Sequence, residues 1–245
     1  MRKIISICTF IILFTTFSVN GFAFTDIENP YLEKQLSDLS ALNIINGYED
    51  GTFEPQKNIT RAEFSKIIME AIINNDIFDI VNEFNDVPQE HWAYNYIYKA
   101  KYLGIVNGIS NISFEPNSNI TYEQAIKMIV CALGYGEEAL QKGGWPNGYM
   151  KQAENLGILK DISFKQNEFA TRENIAKIVR NALDIPFYYL KVEGSDIRRE
   201  YSSTCIYDIK IIYLNASVDN EYEIDTGIDF NPLDNFEETE IDSVG

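Results

Sequence analysis

Leu42-Asn43-Ile44-Ile45-Asn46-Gly47 returns 61 positions later as Leu103-Gly104-Ile105-Val106-Asn107-Gly108. The same offset carries Phe53-Glu54-Pro55 onto Phe114-Glu115-Pro116, and Asn58-Ile59-Thr60 onto Asn119-Ile120-Thr121. A third copy is shorter. Leu156-Gly157-Ile158 repeats Leu103-Gly104-Ile105, three residues are lost, and Thr171 through Leu183 then repeats Thr121 through Leu133 at an offset of 50. Self-similarity at this period marks units that bury their apolar faces against one another.

Each copy has one internal plan. Leu32, Leu36, Leu39 and Leu42 stand at helical spacing, as do Ala93, Ile97, Ala100 and Leu103, and Met150, Ala153 and Leu156 occupy the last three of these places in copy three. A turn rich in Asn, Gly and Asp follows, with Asp50-Gly51 its strongest signal. A second helix then opens on a capping box, Thr60 with Glu63 and Thr121 with Gln124, and on the weaker pair Thr171 with Asn174. Phe64, Ile67, Ile68 and Ile72 give that helix one buried face. A lone helix pair cannot bury both stripes, so the sequence predicts a mainly α fold. In it, three helix-loop-helix repeats close into a pseudo-threefold helical bundle, followed by a short acidic tail with a β-strand at 206–214.

Around the repeats, the 245 residues are 45% hydrophobic and 23% charged, a globular composition. With 20 basic and 37 acidic residues the net charge is −17, the wrong sign for a sequence-independent hold on nucleic acid or an anionic membrane. Arg2 and Lys3 precede an apolar run from Ile4 to Phe17, and Gly21-Phe22-Ala23 places small residues before a cut at Phe24. Residues 1–23 therefore read as a secretory signal peptide, since the run is too short to span a bilayer. The protein is expected to be exported, without membrane insertion after cleavage. Cys131 and Cys205 remain, too few and too scattered for a disulfide framework or a zinc set, and are read as small buried side chains.

Folding alone does not explain Arg61 and Arg172. Both take the first helical position after the threonine cap, where the positive end of the helix dipole disfavours a cation. A guanidinium fork beside free N–H groups could hold a carboxylate or phosphate. The alternative is a solvated arginine on an exposed first turn.

These residues carry a resemblance. Phe24-Thr25-Asp26-Ile27 and Phe84-Asn85-Asp86-Val87 open copies, His91-Trp92-Ala93 starts a first helix, Gly47 through Pro55 forms the loop, and Thr60-Arg61-Ala62-Glu63 opens the second helix. Together they resemble the S-layer homology domain, over about residues 24 to 186. Repeats are then placed at 24–83, 84–142 and 143–186, the last opening on Gly143-Gly144-Trp145-Pro146 and degenerate. The resemblance implies a Gram-positive cell-surface protein whose grooves bind secondary cell-wall polysaccharide through a pyruvylated sugar. It implies that Arg61 and Arg172 meet the carboxylate, and that Asp26 and Asp86 hold sugar hydroxyls. Trp92 and Trp145 are candidates for stacking on a sugar face, although an aromatic at the start of a buried helix more often belongs to the core.

Departures from the family pattern are heaviest in the second and third copies. Tyr122 replaces the arginine in copy two, copy three lacks the Phe-x-Asp opening and the Asp-Gly turn, and Tyr31 stands where the others have tryptophan. Catalysis has little support: the single His91 and scattered cysteines assemble no nucleophilic set, and paired acids among 37 carboxylates carry no specificity. No cofactor or metal is expected. The tail at 187–245, with no basic residue from Ile211 onward, is an acidic extension or an incomplete domain and a candidate contact for an envelope protein. A degenerate interaction module without glycan affinity is the alternative to wall attachment, and a small wall hydrolase comes third.

Overall fold

The computed structural model describes residues 24–72, 84–193 and 196–210; the signal-peptide and acidic-extension readings at 1–23 and 211–245 lie outside them. Among the described residues seven helices precede a hairpin: α1 Pro30–Ala41, α2 Arg61–Ala71, α3 Tyr94–Tyr102, α4 Tyr122–Ala132, α5 Gly136–Gln141, α6 Asn147–Asn155 and α7 Arg172–Leu183, then β1 Pro186–Glu193 and β2 Asp196–Cys205. The helix starts follow the sequence. Thr60 and Thr121 form complete capping boxes, whereas Thr171 accepts from the Asn174 N–H alone. His91 Nδ1 accepts from the Ala93 N–H, a local bond at the approach to α3.

The copies interlock. The first helix of each packs on the second helix of the preceding copy, α3 on α2 and α6 on α4, and α1 closes the circle on α7. The second helices α2, α4 and α7 touch pairwise at the centre. Just before them, three short segments meet in a cyclic ring of backbone bonds. The Ile120 N–H donates to Ile59 O at 3.0 Å, Ile59 N–H to Ala170 O at 3.0 Å, and Ala170 N–H to Ile120 O at 2.9 Å. Leu36, Leu39, Phe64, Ile97, Ile126 and Ile175 are sealed in one core, the burial that holds the helices together.

The tail departs from the sequence reading. Residues 206–210 are helical rather than the start of a strand, with Ile206 and Ile209 buried, and 211–214 lie outside the described residues. The extended structure lies earlier, in β1 and β2, paired antiparallel with Tyr188 opposite Tyr201. A hairpin alone is marginal in water, and this one is docked. The Tyr188 N–H donates to Leu133 O at 3.0 Å, and the Tyr135 hydroxyl donates to Pro186 O at 2.8 Å. Arg199 stacks on the Tyr188 ring at 3.7 Å while donating to Gly134 O at 2.6 Å and to the Glu138 carboxylate. Phe187, Ile206 and Ile209 belong to the same core as the repeats, so that core continues past 186. Ile206 lines an apolar cavity with Ile72, Leu133 and Leu183 from the ends of all three central helices. Cys131 and Cys205 are part-buried rather than buried.

Candidate functional site

Arg61 and Arg172 each reach across from one copy to the next. Arg61 Nε donates to Phe114 O at 2.8 Å and its Nη2 to Asn107 O at 2.9 Å, while its guanidinium lies over the Phe114 ring at 4.5 Å. Arg172 repeats the arrangement toward copy one, with Nε to Phe53 O at 2.8 Å, Nη2 to Asn46 O at 3.2 Å, and the Phe53 ring at 4.7 Å. Arg61 is 7% exposed and Arg172 8%. The solvated first-turn arginine is thus corrected: both span an inter-copy groove as buried ties. Burial pushes the Arg61 guanidinium below its ordinary value, and Glu115 and Asp86 oppose that shift. Nη1 of each arginine makes no hydrogen bond among the described residues and is not a sealed buried atom.

The helix N-termini do not offer the free donors the sequence suggested. Arg61 N–H bonds Ser118 O, Ala62 N–H bonds Pro116 O, Arg172 N–H bonds Lys57 O and Glu173 N–H bonds Pro55 O. Neighbouring loops have taken those groups, leaving the guanidinium edge as the groove's open donor.

Asp26 and Asp86 act as loop clamps. Asp26 Oδ1 accepts from Phe53 N–H at 2.8 Å and Oδ2 from Glu54 N–H at 2.7 Å. Asp86 accepts from Phe114 N–H, from Glu115 N–H at 2.8 Å and from the Ser113 hydroxyl at 2.7 Å. Burial pushes the Asp86 carboxyl up, but these donors outweigh it and hold the group below the ordinary 3.8. Sequence reading assigned both aspartates to sugar hydroxyls and missed that they fix the loop whose carbonyls seat the arginines. Their 27-residue spacing to Phe53 and Ser113 gave no local signal.

Phe24 and Phe84 complete these seats by packing on Phe53 and Phe114 with ring centres 5.4 and 5.5 Å apart. Gly47 follows from that packing: a Cβ there would fall 2.3 Å from the Phe24 ring.

The groove between copies two and three is built differently. Tyr122 is 1% exposed and stacks on Phe164 at 4.3 Å and 16°. Its hydroxyl accepts from Asn174 Nδ2 at 2.7 Å. Trp92 and Trp145 are 55% and 50% exposed, against the expectation that such aromatics enter the core. Tyr31, at the matching place in copy one, is exposed as well. Lys127 lies 5.8 Å above the Trp145 ring. Among the described residues no group of acids, histidines and cysteines could hold a metal, and no helix is long and apolar enough to cross a membrane.

The sequence has relatives of the same pattern. A cell surface protein of Thermoanaerobacter kivui is 32% identical over 211 residues, which are 82% of this chain and 27% of that protein. A middle cell wall protein of Brevibacillus brevis is 34% identical over 206 residues, 82% of this chain and 19% of its own length. An exoglucanase of Acetivibrio thermocellus is 28% identical over 178 residues, 66% of this chain and 16% of its own. The chain thus spans about a quarter or less of each of these proteins. Residues 23–65 and 83–126, the openings, first helices, loops and second-helix starts of copies one and two, match the model of the S-layer homology domain family.

Proposed function

We propose that this is an exported cell-surface protein that attaches noncovalently to secondary cell-wall polysaccharide, with Arg61 and Arg172 receiving a carboxylate of a pyruvylated sugar. The observation that carries this reading is the matched pair of seats. In each, two loop carbonyls and a phenylalanine ring fix a guanidinium across an inter-copy groove with one nitrogen still unspent. Preorganisation of that kind lowers the entropy lost when an anion binds. Asp26 and Asp86 hold the seats and keep lone pairs for sugar hydroxyls, and Trp92 and Trp145 offer exposed faces to a sugar ring. The segment shared with two wall or surface proteins and a glucanase is a small part of each, which supports an attachment role over a catalytic one.

Sedimentation with isolated wall sacculi, before and after chemical removal of the secondary polymer, tests the reading. Binding lost with the polymer is the expected outcome. Binding that survives would favour the protein-interaction alternative, and release of soluble sugar would overturn the non-enzymatic reading.

A further inference from the structure

The step Asn-Gly occurs in the sequence at 20–21, 46–47, 107–108 and 147–148. The first lies outside the described residues. Two of the others are built into the arginine seats: Asn107 O accepts from Arg61 Nη2 at 2.9 Å, and Asn46 O from Arg172 Nη2 at 3.2 Å. Asn-Gly is the step at which a peptide chain most readily attacks itself, because glycine has no side chain to hold its nitrogen away from the preceding amide.

At both seats the reacting groups are unengaged. Asn46 and Asn107 are exposed, and among the described residues neither side-chain amide makes a hydrogen bond. The Gly47 and Gly108 N–H groups make none there either. Asn147-Gly148 is an internal contrast. Asn147 is exposed too, but Gly148 is buried in α6 and its N–H donates to Gly144 O at 2.6 Å. Nor can the seats dispense with their glycines: the Phe24 ring stands where Gly47 would carry a Cβ, and a Cβ on Gly108 would fall 2.6 Å from the Phe84 ring. The packing that builds each seat therefore keeps a reactive step within it.

In the reaction the glycine nitrogen gives up its proton and bonds to the asparagine Cγ, the Cγ–Nδ2 bond breaks, and ammonia leaves behind a cyclic imide. One water then opens the imide at either carbonyl. Opening at Cγ leaves aspartate on an unchanged backbone. Opening at the main-chain carbon routes the chain through the side chain, as isoaspartate, and turns that carbon into a carboxylate. The oxygen that accepts from Arg61 Nη2, or from Arg172 Nη2, is then a carboxylate oxygen.

We infer that Asn46 and Asn107 are sites of spontaneous deamidation, and that the reaction converts each arginine seat from an anion receiver into a closed internal ion pair. The modification stands on the loop geometry alone. Its effect on affinity rests on the carboxylate-binding reading above: a chain that ages in this way loosens its hold on an acidic polymer.

Peptide mapping with isoaspartate detection tests the modification, on the full chain aged in mildly alkaline buffer, where the attacking nitrogen loses its proton more readily. Folded, the chain is expected to gain acid and isoaspartate at 46 and 107 while 147 stays an amide; in urea the three should convert alike. Conversion at 46 and 107 no faster than at 147 in the folded chain would overturn the inference. Isotherms on purified secondary polymer test the consequence. The aged parent should bind about two- to tenfold more weakly than its own fresh sample. Asn46→Gln, Asn107→Gln, with side chains too long to close the imide readily, should show no change between its fresh and aged samples. Should that variant melt low, Asn107→Asp made fresh decides, since it should carry part of the loss from the start. Full conversion with affinity retained would overturn the closing of the seats. A fresh parent that binds no polymer would overturn the wall-attachment reading and the affinity effect with it, while the mapping decides the modification by itself.

Discussion

The two arginine grooves and the tyrosine groove solve one packing problem with different chemistry. In copies one and two, a loop phenylalanine, Phe53 or Phe114, has a ring from its own copy's opening on one side and a guanidinium from the preceding copy on the other. Copy three has no such opening, so Phe164 lacks the first partner, and Tyr122 from copy two brings the missing ring. The carbonyl that matches Asn107 O by repeat alignment is Lys160 O, and Asn181 Nδ2 bonds it at 3.2 Å. Even the glycine follows: Gly108 lies too close to Phe84 for any Cβ, while Asp161 occupies its place in copy three, which has no phenylalanine opening. Three departures that look independent in sequence are one exchange of a polar seat for an aromatic one.

The comparison breaks most directly at Tyr122. Tyr122→Ala removes a fully buried ring and should cost about 3–5 kcal/mol of stability while leaving wall-polymer affinity near parental. Thermal melts and a binding isotherm check the two halves separately. Arg61→Ala should do both things at once. One buried and one part-buried carbonyl lose charged donors, about 2–3 kcal/mol, which for a chain of this size lowers Tm by roughly 5–10 °C. Affinity should fall about tenfold or more with the carboxylate contact. A melt unchanged in Arg61→Ala would show that the carbonyl seats contribute nothing to the fold. An affinity loss in Tyr122→Ala equal to that in Arg61→Ala would erase the distinction between the grooves.

Much of this was readable beforehand, for identifiable reasons. Helix starts are local: the bonds that make a capping box lie within four residues, so Thr60 and Thr121 announced α2 and α4. The inter-copy ties are not local. Arg172 meets carbonyls 119 and 126 residues away, and nothing in Thr171-Arg172-Glu173 shows that its side chain turns inward. An arginine at a first turn reads as solvated because the dipole argument considers one helix in water. Seated against a neighbour's carbonyls, the same residue gains more from charged hydrogen bonds than the dipole costs. The tail was misread for a related reason. Ile206 through Leu214 has strand-forming residues, yet Ile206 and Ile209 fall three apart, the spacing that lets a helical turn bury both against the bundle.

The clamp offers a smaller effect with a pH signature. Asp86→Asn keeps an acceptor but turns an amide toward donors from Ser113, Phe114 or Glu115, and should cost about 1–2 kcal/mol at neutral pH. The Asp86 carboxyl lies below its ordinary 3.8 in the fold, so its contribution is complete above about pH 4 and is lost as pH falls through the depressed value. The gap between parent and variant in urea midpoints should therefore narrow below pH 4. A gap that stays constant into acid would mean that the carboxylate's charge is irrelevant to the clamp.

The smallest effect isolates what the tyrosine hydroxyl adds to its ring. Tyr122→Phe preserves the stack on Phe164 and removes the acceptor for Asn174 Nδ2, which sits 2.7 Å away. Asn174 is the residue that makes the third cap weaker than the others, because its amide reaches Tyr122 where Glu63 and Gln124 reach back to the helix cap. Losing the hydroxyl frees that amide to turn toward the Thr171 N–H and complete a box-like cap, offsetting part of the lost bond. The net cost should be about 0.5–1 kcal/mol, well below that of Tyr122→Ala. Amide exchange in the first turn of α7 reads the compensation directly: protection near Thr171 should hold or rise in Tyr122→Phe and fall in a Tyr122→Phe, Asn174→Ala double variant. Equal protection in the two variants would show that Asn174 has no second role, and that the tyrosine serves the groove through its ring alone.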